Sequence, residues 1–221
     1  MWSNVLAALL LSAPGALAWP PLGLIALTFL AGSLAYAGGA TLNDVFDAGF
    51  DRRHRPDRAI PSGSISLRTA AWVGCLQLGA GMALLIWAGA SVLMVSGLGG
   101  VIVLYNWLHK RWVGSVVLMA GCRVMLGLAV ASLPTREFSP ALLVWVAILF
   151  TYIVVLSLLA RREYHPGAPA EKLARIVRKM LAFIPMVDAV VLLIVVSWKA
   201  AVICALAVPL GKVAQRLAAS G

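Results

Sequence analysis

LGLIALTFLAGSLAYAGGATLNDVFDAGFDRRHRPDRAIPSG, residues 22–63, is the stretch that decides the fold. Its first half, residues 22–42, carries no charge and is long enough for a helix to cross the hydrocarbon core of a membrane. Its second half, residues 43–63, holds four of the eight acidic residues and four basic ones: Asp44, Asp47, Asp51, Asp57, Arg52, Arg53, Arg55 and Arg58. Carboxylates at the end of a membrane helix are costly unless they pair or bind a cation. The stretch therefore predicts a transmembrane helix that ends in a functional site.

The spacing of the oxygen-bearing side chains supports this hypothesis. If the helix continues through Asp51, then Asn43, Asp47 and Asp51 fall within about 80° of arc, and Asp44 lies within about 20° of Asp51. Such a cluster of hard oxygen ligands suits Mg²⁺, which proteins commonly hold with one or two carboxylates together with substrate phosphates. The arginines that follow are suitable phosphate partners. The alternative is a solvated helix end at which the Asp and Arg side chains neutralise one another.

The composition is that of a multi-pass membrane protein. Hydrophobic residues make up 62% of the 221 and charged residues only 12%, which is too apolar for a soluble domain. The net charge is +10, but the basic residues punctuate apolar runs and do not form the basic and aromatic face of a nucleic-acid module. The three cysteines lie far apart in apolar segments and are interpreted as small buried residues.

Apolar runs bounded by charges, prolines and glycines predict about eight transmembrane helices. The predicted spans are residues 2–18, 22–47, 66–88, 91–108, 113–132, 140–160, 174–197 and 199–217. The expected fold class is an all-α polytopic membrane bundle forming a single domain over residues 1–221. Residues 1–18 end in Ala-Leu-Ala, as a signal peptide can, but no Lys or Arg precedes Arg52. We therefore predict a first transmembrane helix there.

The distribution of the basic residues predicts the orientation of these helices. Most of the 18 basic residues fall in the loops after the second, fourth and sixth spans and at the C-terminal end, whereas Arg136 and Lys199 fall on the other side. By the positive-inside rule, both termini and the Asp-rich loop face the cytoplasm. The expected location is the cytoplasmic membrane of a bacterium, with membrane lipid as the surrounding partner.

The Asp-rich stretch also resembles a known motif. It matches the first signature of the UbiA family of membrane prenyltransferases, N-D-x-x-D-x-x-x-D followed by P-x-R-P-I-P-S-G, at every fixed position except Ala59, where the family usually has proline. Residues 105–111, YNWLHKR, resemble the tyrosine-then-lysine segment after the fourth helix of that family. Gly121, Cys122 and Arg123 resemble a segment of its branch typified by EboC-type proteins. The resemblance extends over most of the chain and implies a bundle of eight to nine helices.

This resemblance implies a Mg²⁺-dependent transfer of a prenyl group from a polyprenyl diphosphate to an aromatic or other small acceptor. The residues that match the family's positions imply a catalytic set of Asn43, Asp47 and Asp51, and a metal-binding set of Asn43, Asp44, Asp47, Asp51 and Glu163. They imply a diphosphate-binding set of Arg58, Lys110, Arg123 and Tyr105. Cations and metal at these positions would stabilise the charge on the departing diphosphate. Tyr36, Tyr105 and Tyr152 are candidates for stabilising an allylic cation.

One departure from the family is important. The better-studied members carry a second Asp-rich motif after the sixth helix, whereas residues 157–167 here read SLLARREYHPG, with no Asp and a single Glu. Glu163 is therefore either a substitute metal ligand or a partner of Arg161 or Arg162, and a second metal site is in doubt. The missing motif also leaves open a non-catalytic lipid-binding or transport protein with this fold. A CDP-alcohol phosphatidyltransferase would need a D-G-x-x-A-R segment that the chain lacks.

Two charged residues inside predicted spans also need an explanation. Arg123 lies ten residues into the fifth span, where an unpaired guanidinium is costly, so we predict a functional role for it. Asp188 follows Pro185 by three residues, and we predict that it bonds backbone groups freed by the proline.

Overall fold

The computed structural model describes residues 1–13, 19–134, 136–162 and 169–219, without the side chains of residues 170 and 210–219. Every regular element in these ranges is an α-helix. In chain order the helices are α1 (Trp2–Leu11), α2 (Leu22–His54), α3 (Leu67–Trp87), α4 (Val92–Leu108), α5 (Ser115–Ala131), α6 (Pro140–Arg162), α7 (Ala170–Val195) and α8 (Trp198–Ala219). This confirms the predicted all-α bundle, and each of the eight helices overlaps one predicted span, although the first two differ from their predicted bounds.

The exterior of the bundle is apolar. Trp72, Leu76, Leu93 and Ile194 are each more than 60% exposed, as lipid-facing side chains in a membrane would be. Three helices, α2, α3 and α6, are long and apolar enough to cross a membrane, and α1, α4, α5 and the first part of α8 are shorter apolar helices. The core is nonetheless well packed, with Trp145, Leu85 and Leu142 fully buried.

The second helix is longer than its predicted span of 22–47. It continues to His54, so its 33 residues extend over about 50 Å, against a hydrocarbon core of about 30 Å. It ends where Arg55 precedes Pro56, because a proline disfavours the helical conformation of the residue before it. The four oxygen-bearing residues Asn43, Asp44, Asp47 and Asp51, here called the Asp-rich stripe, therefore lie on regular helix.

The prediction of a full first span over residues 2–18 is wrong. The first helix has only 10 residues, or about 15 Å of length, and residues 14–18 lie outside the described ranges. The hydroxyl of Ser12 donates back to the carbonyl of Ala8 at the end of the helix. All residues from 3 to 11 are buried, and the helix packs mainly on α5, α7 and α2. It is thus an interior element, although its composition is that of a span.

Helices α2 and α3 approach closely through small residues. A Cβ added at Gly38 would collide with the backbone amide of Leu78 and lie 2.8 Å from the carbonyl oxygen of Gly74. A Cβ added at Gly81 would lie 2.6 Å from a backbone oxygen of α2, that of Ala31. Small residues allow such backbone contact between membrane helices. This contact fixes α2, and with it the Asp-rich stripe, against the rest of the bundle.

The functional end of the bundle is formed by four helix termini. The last turns of α2, α4 and α6 and the first turn of α5 meet there, as shown by contacts of Asp47 with His109 and of Arg161 with Ser115. Arg136 lies at the opposite end, where its guanidinium donates to the carbonyl of Leu9. The cytoplasmic orientation of the Asp-rich end stays a prediction.

Candidate active site

The Asp-rich stripe is at least partly enclosed by neighbouring elements. Asp47 and Asp51 are buried, with 7% and 1% of their surface exposed, whereas the side chain of Asp44 is 57% exposed. Because α2 is regular to His54, Asn43, Asp47 and Asp51 occupy the predicted i, i+4 and i+8 positions. The expected phase of the helix is therefore confirmed.

Asp47 is held by two residues that follow α4. Its Oδ1 lies 3.0 Å from Nε2 of His109, and its Oδ2 lies 3.0 Å from Nζ of Lys110. The Lys110 ammonium also lies over the ring of Phe50, 3.6 Å from the ring centroid. The structure thus brings Lys110, predicted from the sequence, to the Asp-rich stripe. His109 was not predicted as a site residue, because only the packing of α4 on α2 places it there.

Arg58 links two other carboxylates of the stripe. Its Nη1 lies 3.1 Å from Oδ1 of Asp44 and 3.0 Å from Oδ2 of Asp51. The remaining oxygen of Asp51, Oδ1, is buried and has no hydrogen-bond partner. A buried carboxylate oxygen without a donor is a costly arrangement, and a cation next to it would remove that cost.

The remaining member of the stripe, Asn43, contacts an asparagine of α4. Its Nδ2 donates to Oδ1 of Asn106, and Nδ2 of Asn106 donates to the carbonyl of Gly39. Asn106 is 3% exposed and lies in the tyrosine-then-lysine segment, but it was not predicted as a site residue. These bonds leave the Asn43 amide oxygen as a possible ligand.

The donor set fits a hard cation that is shared with a substrate. No three His, Cys, Asp or Glu side chains converge on one point within the described ranges, since Asp44, Asp47 and Asp51 each turn to a cationic side chain. Mg²⁺ needs only one or two carboxylates when phosphate oxygens and water complete its octahedron. The unpartnered Oδ1 of Asp51 supports that fit. Glu163, the remaining predicted ligand, lies outside the described residues, as does its alternative pairing with Arg161 or Arg162.

A cavity of about 360 Å³ opens next to the stripe. Its size is at the lower end of the range for small-molecule pockets. Its polar lining comes from Asn4, Tyr36, Asn43, Asp44, Tyr105, Asn106 and Arg123, and its apolar lining includes Ala35, Leu98, Ile102, Met119, Leu126 and Leu181. Tyr36 and Tyr105, two of the three candidates for stabilising an allylic cation, line the cavity; that role stays a prediction. Tyr152 does not line it, because its hydroxyl donates to the carbonyl of Met180.

A chain of hydrogen-bonded polar groups, two of which line the cavity, connects α5, α1, α7 and α6. Nη1 of Arg123 donates to Oδ1 of Asn4, and Nδ2 of Asn4 lies 3.0 and 2.9 Å from the two oxygens of Asp188. Nε1 of Trp145 donates to the same carboxylate over 2.8 Å. Asp188 is thus bound by side chains of α1 and α6, and the prediction that it bonds proline-freed backbone is wrong. Trp145 and Asn4 are 43 and 184 residues away from Asp188 along the sequence.

Arg161 secures the turn that carries His109 and Lys110. Its Nη2 lies 2.8 Å from the carbonyl oxygen of His109 and 2.6 Å from the hydroxyl oxygen of Ser115. This guanidinium therefore ties the end of α6 to the connection between α4 and α5. From the sequence, Arg161 was interpreted only as one of two alternative partners of Glu163.

The comparisons with known proteins agree with this architecture. The model of the UbiA prenyltransferase family matches residues 1–211. The chain is 32% identical over 132 residues to a digeranylgeranylglyceryl phosphate synthase of Metallosphaera sedula, covering 59% of this chain and 46% of the relative. It is 39% identical over 105 residues to the enzyme of the same name from Methanopyrus kandleri, covering 44% and 38%. These matches thus span less than half the length of the curated relatives.

A solved structure has the same fold. It is that of a UbiA homologue from Archaeoglobus fulgidus bound to DMAPP and Mg²⁺. The similarity covers 99% of this chain and 82% of that one, with a TM-score of 0.57 and 17% sequence identity. At this identity the likeness establishes the fold.

Proposed function

Since the chain belongs to the UbiA prenyltransferase family, we propose that it transfers a prenyl group from a prenyl diphosphate to a small acceptor inside the membrane. One observation carries the proposal. A stripe of carboxylates, of which Asp47 and Asp51 are buried, lies with its cationic partners beside a mostly apolar cavity in the same bundle. A prenyl diphosphate has the same division into a charged end and an apolar chain.

The charged end of the donor belongs at the stripe. Bound Mg²⁺, held by Asn43, Asp47 and Asp51, with Asp44 and Glu163 as further candidates, would neutralise the negative charge of the diphosphate. Arg58 and Lys110 already lie 3.0 Å from carboxylate oxygens. They can turn their remaining N–H donors to the diphosphate oxygens, where charge grows as the allylic C–O bond breaks. Tyr105, which lines the adjoining cavity, can donate its hydroxyl there.

The carbon side of the broken bond belongs in the cavity. Tyr36 and Tyr105 line it, and an aromatic ring can stabilise an adjacent cation by roughly 0.5–2 kcal/mol. The apolar lining keeps water from the allylic carbon, so the acceptor can attack in its place, and the proton that the acceptor loses passes to the released diphosphate. The apolar chain of the donor extends toward lipid, in which it is equally soluble.

The acceptor is either of two chemical kinds. The family resemblance implies an aromatic or other small molecule, whereas the name of the relatives points to a glyceryl phosphate lipid. We propose that the reaction takes place at the cytoplasmic face of the cytoplasmic membrane. We further propose that the chain acts as one domain with both termini on that side.

The test is release of diphosphate from a prenyl diphosphate by the purified protein in detergent. We expect release that requires Mg²⁺ and an acceptor and that stops with a chelator. Dimethylallyl, geranyl and geranylgeranyl diphosphates should be offered separately, and the lipid products identified by mass spectrometry. Lipid binding without turnover of any donor, unaffected by Asp47→Ala, would instead identify a non-catalytic lipid-binding or transport protein.

Lys110→Gln tests the cation beside Asp47. We expect the apparent KM for the prenyl diphosphate to rise roughly tenfold, since hydrogen bonds to charged groups contribute about 1.5–3 kcal/mol. Arg111→Gln is the matched control, because Arg111 is the neighbouring cation and lies over the ring of Trp107 at 5.8 Å, away from the stripe. Equal effects of the two substitutions on KM would show that Lys110 is only a membrane-surface anchor.

Glu163→Gln tests the substitute metal ligand. We expect a smaller loss of diphosphate release than in Asp47→Ala, because an exchangeable metal position can be filled by water. Titration of Mg²⁺ in the assay should show a higher half-saturating concentration in Glu163→Gln. A loss as deep as that of Asp47→Ala would make Glu163 an essential ligand.

A further inference from the structure

A groove at the contact of α2 and α4 is distinct from the cavity. It has a volume of about 570 Å³. The residues that line it are Phe46 of α2 and, on α4, Gly99, Gly100, Val103, Leu104 and Trp107. On the cavity side α4 contributes a different set, which includes Ile102 and Asn106. Among the described residues the two linings have no member in common, so α4 separates the groove from the proposed reaction site.

The groove faces the surroundings of the bundle. Its four larger side chains, Phe46, Val103, Leu104 and Trp107, are each between 40% and 52% exposed. Gly100 leaves the floor of the groove open, because a Cβ added there would meet nothing within 4 Å. From Gly100 to Trp107 the groove follows about 10 Å of helix axis. Such an exposed apolar recess on a membrane protein has the shape and polarity to take an apolar chain.

A cation lies at one end of the groove. Helix α4 ends at Leu108, and the guanidinium carbon of Arg111 lies 5.8 Å from the centroid of the Trp107 ring. Arg111 is exposed, and within the described part of the chain its guanidinium has no hydrogen bond or ion pair. Lys110, the preceding cation, is instead paired with Asp47. The N–H donors of Arg111 are thus open to an anionic group beside the groove.

We propose that the groove holds an acyl chain of an anionic phospholipid whose phosphate binds Arg111. The acyl chain alone gives no selectivity, because lipid tails are as apolar as the side chains that line the groove. The charged end supplies the selectivity: a guanidinium forms strong hydrogen bonds with phosphate oxygens, whereas a zwitterionic lipid offers its own ammonium to the same oxygens. Tryptophan is typical of the membrane–water interface, where Trp107 would adjoin that phosphate. This binding site does not depend on the proposed prenyl transfer.

The test compares an anionic and a zwitterionic phospholipid with identical dioleoyl chains. Phosphatidylglycerol and phosphatidylcholine are each titrated into the full chain in detergent, and native mass spectrometry counts the lipid molecules that stay bound. We expect one molecule of phosphatidylglycerol to be retained at a concentration about tenfold below that needed for phosphatidylcholine, the effect of one hydrogen bond to a charged group. Equal retention of the two lipids would overturn the proposal.

Arg111→Gln assigns the preference to one cation. We expect it to lower the retention of phosphatidylglycerol to that of phosphatidylcholine. The matched control is Arg68→Gln, which removes the same charge from another exposed position, at the start of α3, and should leave the preference intact. A preference that survives Arg111→Gln, or equal losses in the two variants, would refute the site. The diphosphate-release assays contain no added phospholipid, so Arg111→Gln remains the control for Lys110→Gln there.

Gly100→Leu tests the groove itself. The new side chain would occupy the open floor and displace the acyl chain that places the phosphate beside Arg111, so retention of phosphatidylglycerol should fall about tenfold, as in Arg111→Gln. Gly79→Leu is the control, because Gly79 is also an exposed helical glycine with nothing within 4 Å of an added Cβ, but lies on α3. Thermal unfolding should show that both variants are folded. Normal retention in Gly100→Leu, or the same loss in Gly79→Leu, would count decisively against the groove.

Two other occupants of the groove would give different spectra. A second copy of the chain would appear as a dimer that phosphatidylglycerol does not displace and that Gly100→Leu abolishes. A prenyl thiolodiphosphate bound with Mg²⁺ should leave the retained phosphatidylglycerol in place, because α4 separates the groove from the cavity. Displacement of the phospholipid by that donor would make the groove part of the donor's path. Either result would replace the phospholipid as the occupant and overturn the proposal.

Discussion

Asp47→Ala is expected to lower Mg²⁺-dependent diphosphate release by at least about a hundredfold, the size of effect seen when one group that stabilises transition-state charge is removed. Asp47 both belongs to the proposed metal ligands and holds His109 and Lys110 within 3.0 Å. Its loss therefore removes a proposed ligand and releases His109 and Lys110 together. Asp51→Ala should be equally severe, because that carboxylate supplies the one buried oxygen of the stripe without a hydrogen-bond partner.

The matched control for both substitutions is Asp57→Ala. Asp57 lies in the same polar stretch and is exposed, so removing it changes the charge without changing the stripe. Circular dichroism and gel filtration in detergent should show that all three variants remain folded and monodisperse. Turnover near that of the unmodified chain in both Asp47→Ala and Asp51→Ala would eliminate the metal site.

Gly38→Ala is expected to destabilise the whole bundle. Its new methyl group would collide with the amide nitrogen of Leu78 and approach the carbonyl oxygen of Gly74 to 2.8 Å, and backbone atoms cannot move aside as a flexible side chain can. Overpacking usually costs about 1–3 kcal/mol, and we expect a loss at or above the top of this range. Thermal unfolding in detergent, followed by circular dichroism, measures it.

Gly49→Ala on the same helix is the control for the Gly38 substitution. A Cβ at Gly49 would meet nothing within 4 Å, and replacing a helical glycine by alanine usually stabilises by up to about 1 kcal/mol. The two variants should therefore shift the unfolding temperature in opposite directions. Equal shifts would show that α2 and α3 do not depend on this backbone contact.

The number of helices and the phase of the stripe were predictable because both follow from local periodicity. An uncharged run followed by oxygen-bearing residues at i, i+4 and i+8 needs no knowledge of neighbouring helices. The length of α1 was not predictable in this way. Hydropathy cannot distinguish a helix surrounded by lipid from one surrounded by protein, since both are apolar on all sides. Residues 3–11 belong to a helix surrounded by protein, since all of them are buried.

The pairings within the site depended on tertiary structure. Arg58 reaches Asp44 and Asp51 only because the chain turns back after α2, and a pattern of charges does not specify which of four arginines returns. His109 meets Asp47 across the α2–α4 contact. Asn4 and Asp188 are separated by 184 residues. Such pairs follow from helix packing, and no local pattern in a single sequence encodes that packing.

The excess length of α2 has a kinetic consequence for the proposed reaction. If α2 enters the hydrocarbon core at Leu22, its 33 residues exceed the core's thickness by about 20 Å, and its final turns, with Asp47 and Asp51, reach the headgroup and water layers. The leaving group then departs into the aqueous phase while the prenylated product stays in the leaflet. Rates should accordingly follow the mole fraction of donor in the bilayer, and diluting the vesicles with inert phospholipid should slow turnover even at a constant bulk concentration.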